Sequence, residues 1–230
     1  MNNIFPWQNE IWKILTKNKS SIGHAILLKG KKGIGKLEFA KSLAKSLLCE
    51  DRLSENPACG SCSGCRWFEQ AGHPDFYLVE PEALSESSGE SKEKPSSAKL
   101  KKKPSKQVSV AQIRALNDVV NMSSHRNGYK IVIINPAEAM NVAAANALLK
   151  NLEEPPPQTL FILVTHRPHH ILPTIHSRCR QIAMPAPDFN LAIDWLEKQD
   201  IEGAEDSLDA VGYAPLAALE YNNGDYRLEH

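Results

Sequence analysis

The amino-acid sequence predicts an α/β fold: a mostly parallel five-stranded sheet with helices on both faces, followed by a small all-helical domain. Three observations carry that prediction. Two runs, Lys130–Ile134 (Lys-Ile-Val-Ile-Ile) and Leu160–Thr165 (Leu-Phe-Ile-Leu-Val-Thr), are apolar almost without interruption, as strands covered on both faces are. A third run, Gly23 to Gly30, enters a glycine-rich turn and then a stretch with helical apolar spacing, which is the opening of an α/β unit. Beyond Pro185-Ala186-Pro187 the pattern becomes wholly helical through Tyr226.

The elements follow in order. From Lys36 to Cys49 the apolar residues Leu37, Ala40, Leu43, Ala44, Leu47 and Leu48 lie along a helix. Asp75–Val79 reads as the second strand, and Val110–Asn121 places Ile113, Leu116 and Val120 on one helical face. Between the third and fourth strands, Ala145, Leu148, Leu149 and Leu152 mark another helix. It must stop before Pro155-Pro156-Pro157, because a residue preceding proline is pushed out of the helical region. Arg180–Met184 supplies the fifth strand. Residues 85–106 are Ser, Glu, Lys and Pro with almost nothing to bury, and are expected to form a disordered insertion. The run Lys101-Lys102-Lys103 inside it is either a solvated loop or a contact for DNA phosphate. The expected organisation is therefore an α/β domain over 1–184 and a helical domain over 185–227. The final Leu228-Glu229-His230 looks like the start of a vector-derived tag, so the chain is read as a truncated piece.

Lys and Arg number 27, as do Asp and Glu, and zero net charge argues against a wholesale polyanion binder while leaving room for a local basic patch. No run approaches the roughly 18 apolar residues of a membrane span, and Met-Asn-Asn-Ile-Phe-Pro-Trp lacks the apolar centre of a signal peptide. The expectation is a soluble, cytoplasmic protein whose five cysteines are not disulfides.

Gly30-Lys31-Lys32-Gly33-Ile34-Gly35-Lys36 fits G-x-x-x-x-G-K in the right strand–turn–helix context. Such a loop aims backbone N–H groups and a helix N-terminus at phosphate oxygens, and the lysine offsets their charge. The next position should carry the hydroxyl that ligates magnesium; here it is Leu37. The acidic residue expected after a core strand is also missing, for Lys130–Ile134 runs into Asn135-Pro136-Ala137-Glu138, with the first carboxylate displaced. With two magnesium contacts gone, no magnesium site and no hydrolysis are expected. ATP binding stays open: the loop either binds nucleotide weakly through Lys36 or serves only as a strand-to-helix turn.

Cys59-x2-Cys62-x2-Cys65, with Cys49 upstream, offers four thiolates within residues 49–65, and Gly60, Ser61, Ser63 and Gly64 give the tight turns needed to wrap an ion. Four sulfurs with no open position describe a structural zinc site. An iron–sulfur cluster would want a further cysteine where Glu69 stands, and free thiols are the plain alternative. Cys179 is separate and reads as a buried apolar residue.

In order along the chain, His24-Ala25 and the phosphate loop, the four cysteines, His73-Pro74-Asp75, the stretch from Ala145-Asn146-Ala147-Leu148-Leu149-Lys150 to Leu152-Glu153-Glu154-Pro155-Pro156, Thr165, and Ser177-Arg178-Cys179 resemble the AAA+ subunits of the bacterial sliding-clamp loader, part of the DNA polymerase III holoenzyme. The resemblance covers about residues 4–225. It implies an AAA+ P-loop domain with a zinc-module insertion and a helical lid. It further implies a role in loading the sliding clamp onto primer-template DNA beside the motor subunits (gamma and tau) and delta. Motor subunits keep Ser or Thr after the lysine and an acidic pair after the third strand; this chain keeps neither and is similar to the stationary delta prime type. The implied chain has no ATPase or polymerase activity of its own and belongs to a DNA-directed DNA polymerase (nucleotidyltransferase) assembly. The alternative is an ATP-hydrolysing motor subunit. The resemblance makes Gly30, Gly33, Gly35, Lys36 and Thr165 degenerate nucleotide-binding positions, with Thr165 at the sensor position. It makes Arg178 an arginine finger toward a neighbour's ATP, the alternative being a surface salt bridge. His24 and His73 are either neighbours of a nucleotide or hydrogen-bonded packing residues.

Overall fold

The apolar runs pair into one sheet of β1 (Ala25–Lys29), β2 (Phe76–Val79), β3 (Lys130–Ile134), β4 (Thr159–Thr165) and β5 (Arg180–Ala183). The computed structural model describes residues 4–17, 22–51, 58–85, 103–122 and 128–223. Strand order is β2-β3-β4-β1-β5, and each pairing is parallel. In the central strands successive side chains alternate between two cores. Ala25, Leu27, Val132, Ile134, Phe161 and Leu163 face one side. Ile26, Leu28, Ile131, Ile133, Leu160, Ile162 and Val164 face the other. That two-sided burial is why the runs are apolar rather than alternating.

Helices close both faces. The first core is completed by α5 (Val110–Val120), α6 (Val142–Glu153) and α7 (Pro173–His176), through Ile113, Leu116, Leu148, Leu152 and Ile175. The second is completed by α1 (Asn9–Lys17) and α2 (Lys36–Leu48), through Trp12, Leu15, Phe39, Leu43 and Leu47. Helix starts are capped by short polar side chains. Ser109 and Gln112 form a reciprocal box at α5, and Asn141 Oδ1 accepts from the Ala144 N–H (2.8 Å) at α6. As the prolines require, α6 ends at Glu153. Between α2 and β2 lies α3 (Ser63–Glu69), and α4 (Glu82–Ser85) follows β2.

The stretch expected to be without structure is described only at its ends: Ser85 closes α4, and the Ala83 N–H donates to Ser105 O (3.0 Å). Its interior, with Lys101 and Lys102, lies outside the described residues, as does the tag-like end. After β5 come α8 (Phe189–Glu197), α9 (Ala204–Ala210) and α10 (Pro215–Asn222), packed around Ala192, Leu196, Ala204, Leu208 and Ala218. Among the described residues no helix is long and apolar enough to cross a membrane.

Because Leu163 is fully buried at the centre of β4, Leu163→Ala should cost about 2–5 kcal/mol in urea denaturation. Ile14→Ala, at a side chain 54% exposed on α1, should change stability by less than about 0.5 kcal/mol.

Candidate functional site: a phosphate loop, a four-thiol cluster and a rim arginine

The loop between β1 and α2 turns on Gly33 and Gly35, at φ +78° and +81°, where an L side chain is strained. Space is equally restrictive. A Cβ on Gly35 would stand 2.3 Å from the Phe5 ring, and one on Gly33 would stand 2.8 Å from Ala217 Cβ. The chain's own side chains and helices therefore hold the loop from two directions. From the N-terminal side, Trp7 Nε1 donates to Ile34 O (3.0 Å), and Gln8 Nε2 donates to Ile34 O (2.9 Å) and Gly35 O (2.8 Å). From the C-terminal helices, the Leu216 N–H at the start of α10 donates to Gly33 O (2.9 Å). Phe5 and Trp7 stack at 5.0 Å, and both meet Trp195 of α8 edge-on.

Lys36 is buried, and its ammonium is spent on its own loop: Nζ donates to Gly30 O (2.8 Å) and to Lys31 O. Burial pushes its pKa down to about 8, against the opposing charges of Glu138 and Glu38. At the strand ends nearby, Asn135 Nδ2 donates to Glu80 Oε1 (2.8 Å), Glu138 Oε1 accepts from the His166 N–H (2.9 Å), and Thr165 Oγ1 accepts from the Arg167 N–H (3.2 Å). Leu37 brings no oxygen to the loop, and Asn135 no charge. Leu37 and Asn135 lack the hydroxyl and the carboxylate that usually hold magnesium on a triphosphate, while Asn135 Oδ1 and Glu138 Oε2 are buried there without a hydrogen-bond partner among the described residues. The structure thus brings the predicted residues Gly30, Gly33, Gly35, Lys36 and Thr165 to one end of the sheet. It adds Phe5, Trp7 and Gln8, which sequence spacing did not reveal because they act from 26 or more positions away.

The four cysteines also converge. Cys49 follows α2, and Cys62 caps α3, its sulfur accepting from the Cys65 N–H (3.4 Å). All four sulfurs lie within 4.8 Å of one another, with Cys49–Cys62 at 3.8 Å and Cys59–Cys65 at 3.9 Å. A tetrahedron with metal–sulfur bonds of about 2.3 Å has edges of about 3.8 Å, so the cluster fits a four-coordinate metal. Backbone N–H groups of Ser61 and Cys62 aimed at Cys59 pull its pKa down to about 6, while burial pushes Cys49 and Cys65 up. The module is anchored to α2 by the Lys45–Glu69 ion pair (2.7 Å) and by Gly64, where a Cβ would stand 2.6 Å from Leu48 O.

Arg178 lies on a different part of the surface. Its partners come from α6 and the α7 turn: Nη2 pairs with Glu153 Oε1 (2.7 Å), and Nη1 donates to Thr174 O (3.0 Å) and Ser177 Oγ (3.3 Å). The side chain remains a third exposed. Cys179 is buried, as expected, and burial pushes its thiol up to about 12. The two histidines have backbone partners. His24 Nε2 bonds Leu152 O (3.0 Å), and His73 Nδ1 accepts from the Asp75 N–H (3.1 Å).

Comparison with known proteins follows the same lines. The chain matches the family described as DNA polymerase III, delta subunit, over residues 7–188. It is 39% identical over 222 residues to a Pseudomonas aeruginosa protein named DNA polymerase III subunit delta', covering 95% of this chain and 61% of that protein. It is 35% identical over 167 residues to DNA polymerase III subunit tau of Salmonella typhimurium, covering 73% of this chain and 22% of that one. The chain therefore spans about three-fifths or less of the length of these relatives. Among solved structures, a DNA polymerase III gamma subunit-related protein of Thermotoga maritima superposes with a TM-score of 0.56 at 24% identity, covering 94% of this chain and 57% of that one. That likeness is one of fold, an α/β sheet with helices.

Two measurements test the geometry. Cobalt(II) titrated into the metal-free chain should bind one ion with the intense thiolate charge-transfer and visible bands of a tetrahedral four-sulfur site, and Cys59→Ser should weaken them. Octahedral spectra would refute that coordination. Gly33→Ala should cost about 1–3 kcal/mol through left-handed strain and collision with α10, with an accompanying change in Trp195 fluorescence.

Proposed function

Because the chain belongs to the family described as DNA polymerase III, delta subunit, we propose that it acts as a delta prime-type, non-hydrolysing subunit of the clamp loader. In that role it helps place the sliding clamp on primer-template DNA, beside gamma or tau and delta, within the DNA-directed DNA polymerase III assembly. The observation that carries the proposal is the phosphate loop. Its lysine is committed to Gly30 and Lys31 carbonyls, its magnesium positions hold Leu37 and Asn135, and α10 is seated on Gly33. A catalytic loop must present its lysine and a metal to the β- and γ-phosphates; here the charge is turned inward and the metal ligands are replaced.

The four cysteines would hold zinc, whose chemistry in an all-sulfur site is structural: it ties the segment after α2 into a fixed module. The helices α8–α10 would form the lid over the loop, in the domain that begins near residue 185.

Arg178 supplies what the closed loop does not. A guanidinium is permanently charged and presents several N–H donors in a plane, so it can meet two oxygens of a neighbour's γ-phosphate. Arginine fingers of this kind are worth roughly 10³–10⁵ in rate at the site they serve. The likeness to tau favours a second reading, an ATP-hydrolysing motor subunit. Leu37 and Asn135 separate the two readings, because a motor subunit needs a hydroxyl at the first position and a carboxylate at the second.

The test is reconstitution of the full-length protein with motor subunits and delta. Arg178→Ala should lower DNA- and clamp-stimulated ATP turnover several-fold while assembly is retained, and the chain alone should show no magnesium-dependent turnover. Turnover by the chain alone that disappears in Lys36→Ala would replace this assignment with the motor one.

A further inference from the structure

The stretch Leu152-Glu153-Glu154-Pro155-Pro156 and the triplet Ser177-Arg178-Cys179 are separate in sequence and meet in space, where the Glu153 carboxylate pairs with the Arg178 guanidinium (2.7 Å). We infer that Glu153 is a positioning residue for Arg178, fixing the direction in which the guanidinium leaves the surface. The inference rests on the finger role proposed above for Arg178.

The geometry around the pair is specific. Glu153 is the last residue of α6, and the prolines that follow stop the helix there, so its backbone is set by the sequence. The same helix end is tied to the sheet by His24 Nε2 on Leu152 O (3.0 Å), and Leu152 is buried in the core. On the other side, Arg178 follows the short α7, whose Ile175 is buried, and Cys179 after it is buried too. Both backbones are thus anchored, and what remains free is the long arginine side chain. Arginine loses much rotamer freedom when it is ordered, and three contacts pre-order it here: Thr174 O and Ser177 Oγ on Nη1, and Glu153 on Nη2. The carboxylate matters more than the two neutral acceptors because there both partners are charged, so the hydrogen bond is also an ion pair.

Glu153 and Arg178 are both partly exposed, Glu153 by half. An ion pair in that setting contributes little to folding, so its value lies in orientation rather than stability. It is also exchangeable. A phosphate oxygen can take over the Nη2 proton without leaving a buried carboxylate unpaired, since Glu153 can turn to water.

The experiment compares four forms of the full-length protein, each reconstituted with motor subunits and delta: unaltered, Glu153→Ala, Glu153→Gln and Arg178→Ala, together with the Glu153→Ala/Arg178→Ala pair. Glu153→Ala should lower kcat for ATP about three- to tenfold with little change in KM. Glu153→Gln, which keeps an acceptor oxygen but not the charge, should recover only part of the loss. In the Arg178→Ala background, Glu153→Ala should have no further effect, and the thermal midpoint of the free chain should stay within about 2 °C in all forms. Equal losses from Glu153→Ala with and without Arg178 would overturn the positioning role and leave the finger standing. Unchanged turnover in Arg178→Ala would remove the finger itself.

Discussion

Much of this molecule depends on the way the chain closes on its own phosphate loop. Gly33 and Gly35 bend the backbone through left-handed conformations, and the space that their missing side chains leave is filled by Ala217 of α10 and by Phe5. The loop's outward carbonyls at Gly33, Ile34 and Gly35 are taken by Leu216, Trp7 and Gln8. One short turn therefore joins three parts of the chain: the N-terminal segment, the α/β sheet and the three C-terminal helices. The stacked Phe5 and Trp7, with Trp195 edge-on to both, add an aromatic contact that links the first and third directly. These hydrogen bonds and apolar contacts act on the same few residues, so their contributions to holding the turn accumulate.

The four-thiol module solves a different problem. Between α2 and β2 the chain has few apolar side chains with which to order itself, yet it must return to the sheet edge at β2. Sulfurs close enough to share one ion, with N–H groups of the turns aimed at them, would let a bound metal substitute for a core. The Lys45–Glu69 pair and the close packing of Gly64 on α2 show that the module is fitted to the sheet domain rather than hung from it.

The strands and most helices were legible in the sequence because two-sided burial leaves an unbroken apolar run and helical burial a 3.6-residue stripe. β3 coincides with its apolar run, and α6 stops before the prolines that predicted its end. The four cysteines were legible because turn residues separate them at ligand spacing. Less was readable where a partner is distant in sequence. Trp7 and Gln8 give no local sign that they bind the phosphate loop, because a hydrogen bond to a backbone carbonyl imposes no residue type on its acceptor. Lys36 fits the nucleotide-binding pattern as well when it faces Gly30 and Lys31 as when it faces a phosphate. Glu153 and Arg178 each stood within a recognisable stretch, but only the folded chain brings them together. Of the two readings of Arg178, the folded chain displays the surface ion pair, with Glu153, and leaves the side chain a third exposed.

In the proposed assembly, these features support one another. A subunit that responded to nucleotide would move its lid, and with it anything whose position depended on the loop. Here the groups that carry Arg178, α6 and the α7 turn, are packed into the sheet's first core through Leu148, Leu152, Ile175 and Cys179. The phosphate loop is built into the other core, through Ile34. In the proposed role, a finger mounted on the first core would be held independently of the loop, and its engagement would depend on how the neighbouring subunit approaches. That division would suit a stationary member beside moving ones, with Lys36 turned to its own loop carbonyls and Arg178 partly exposed at the surface.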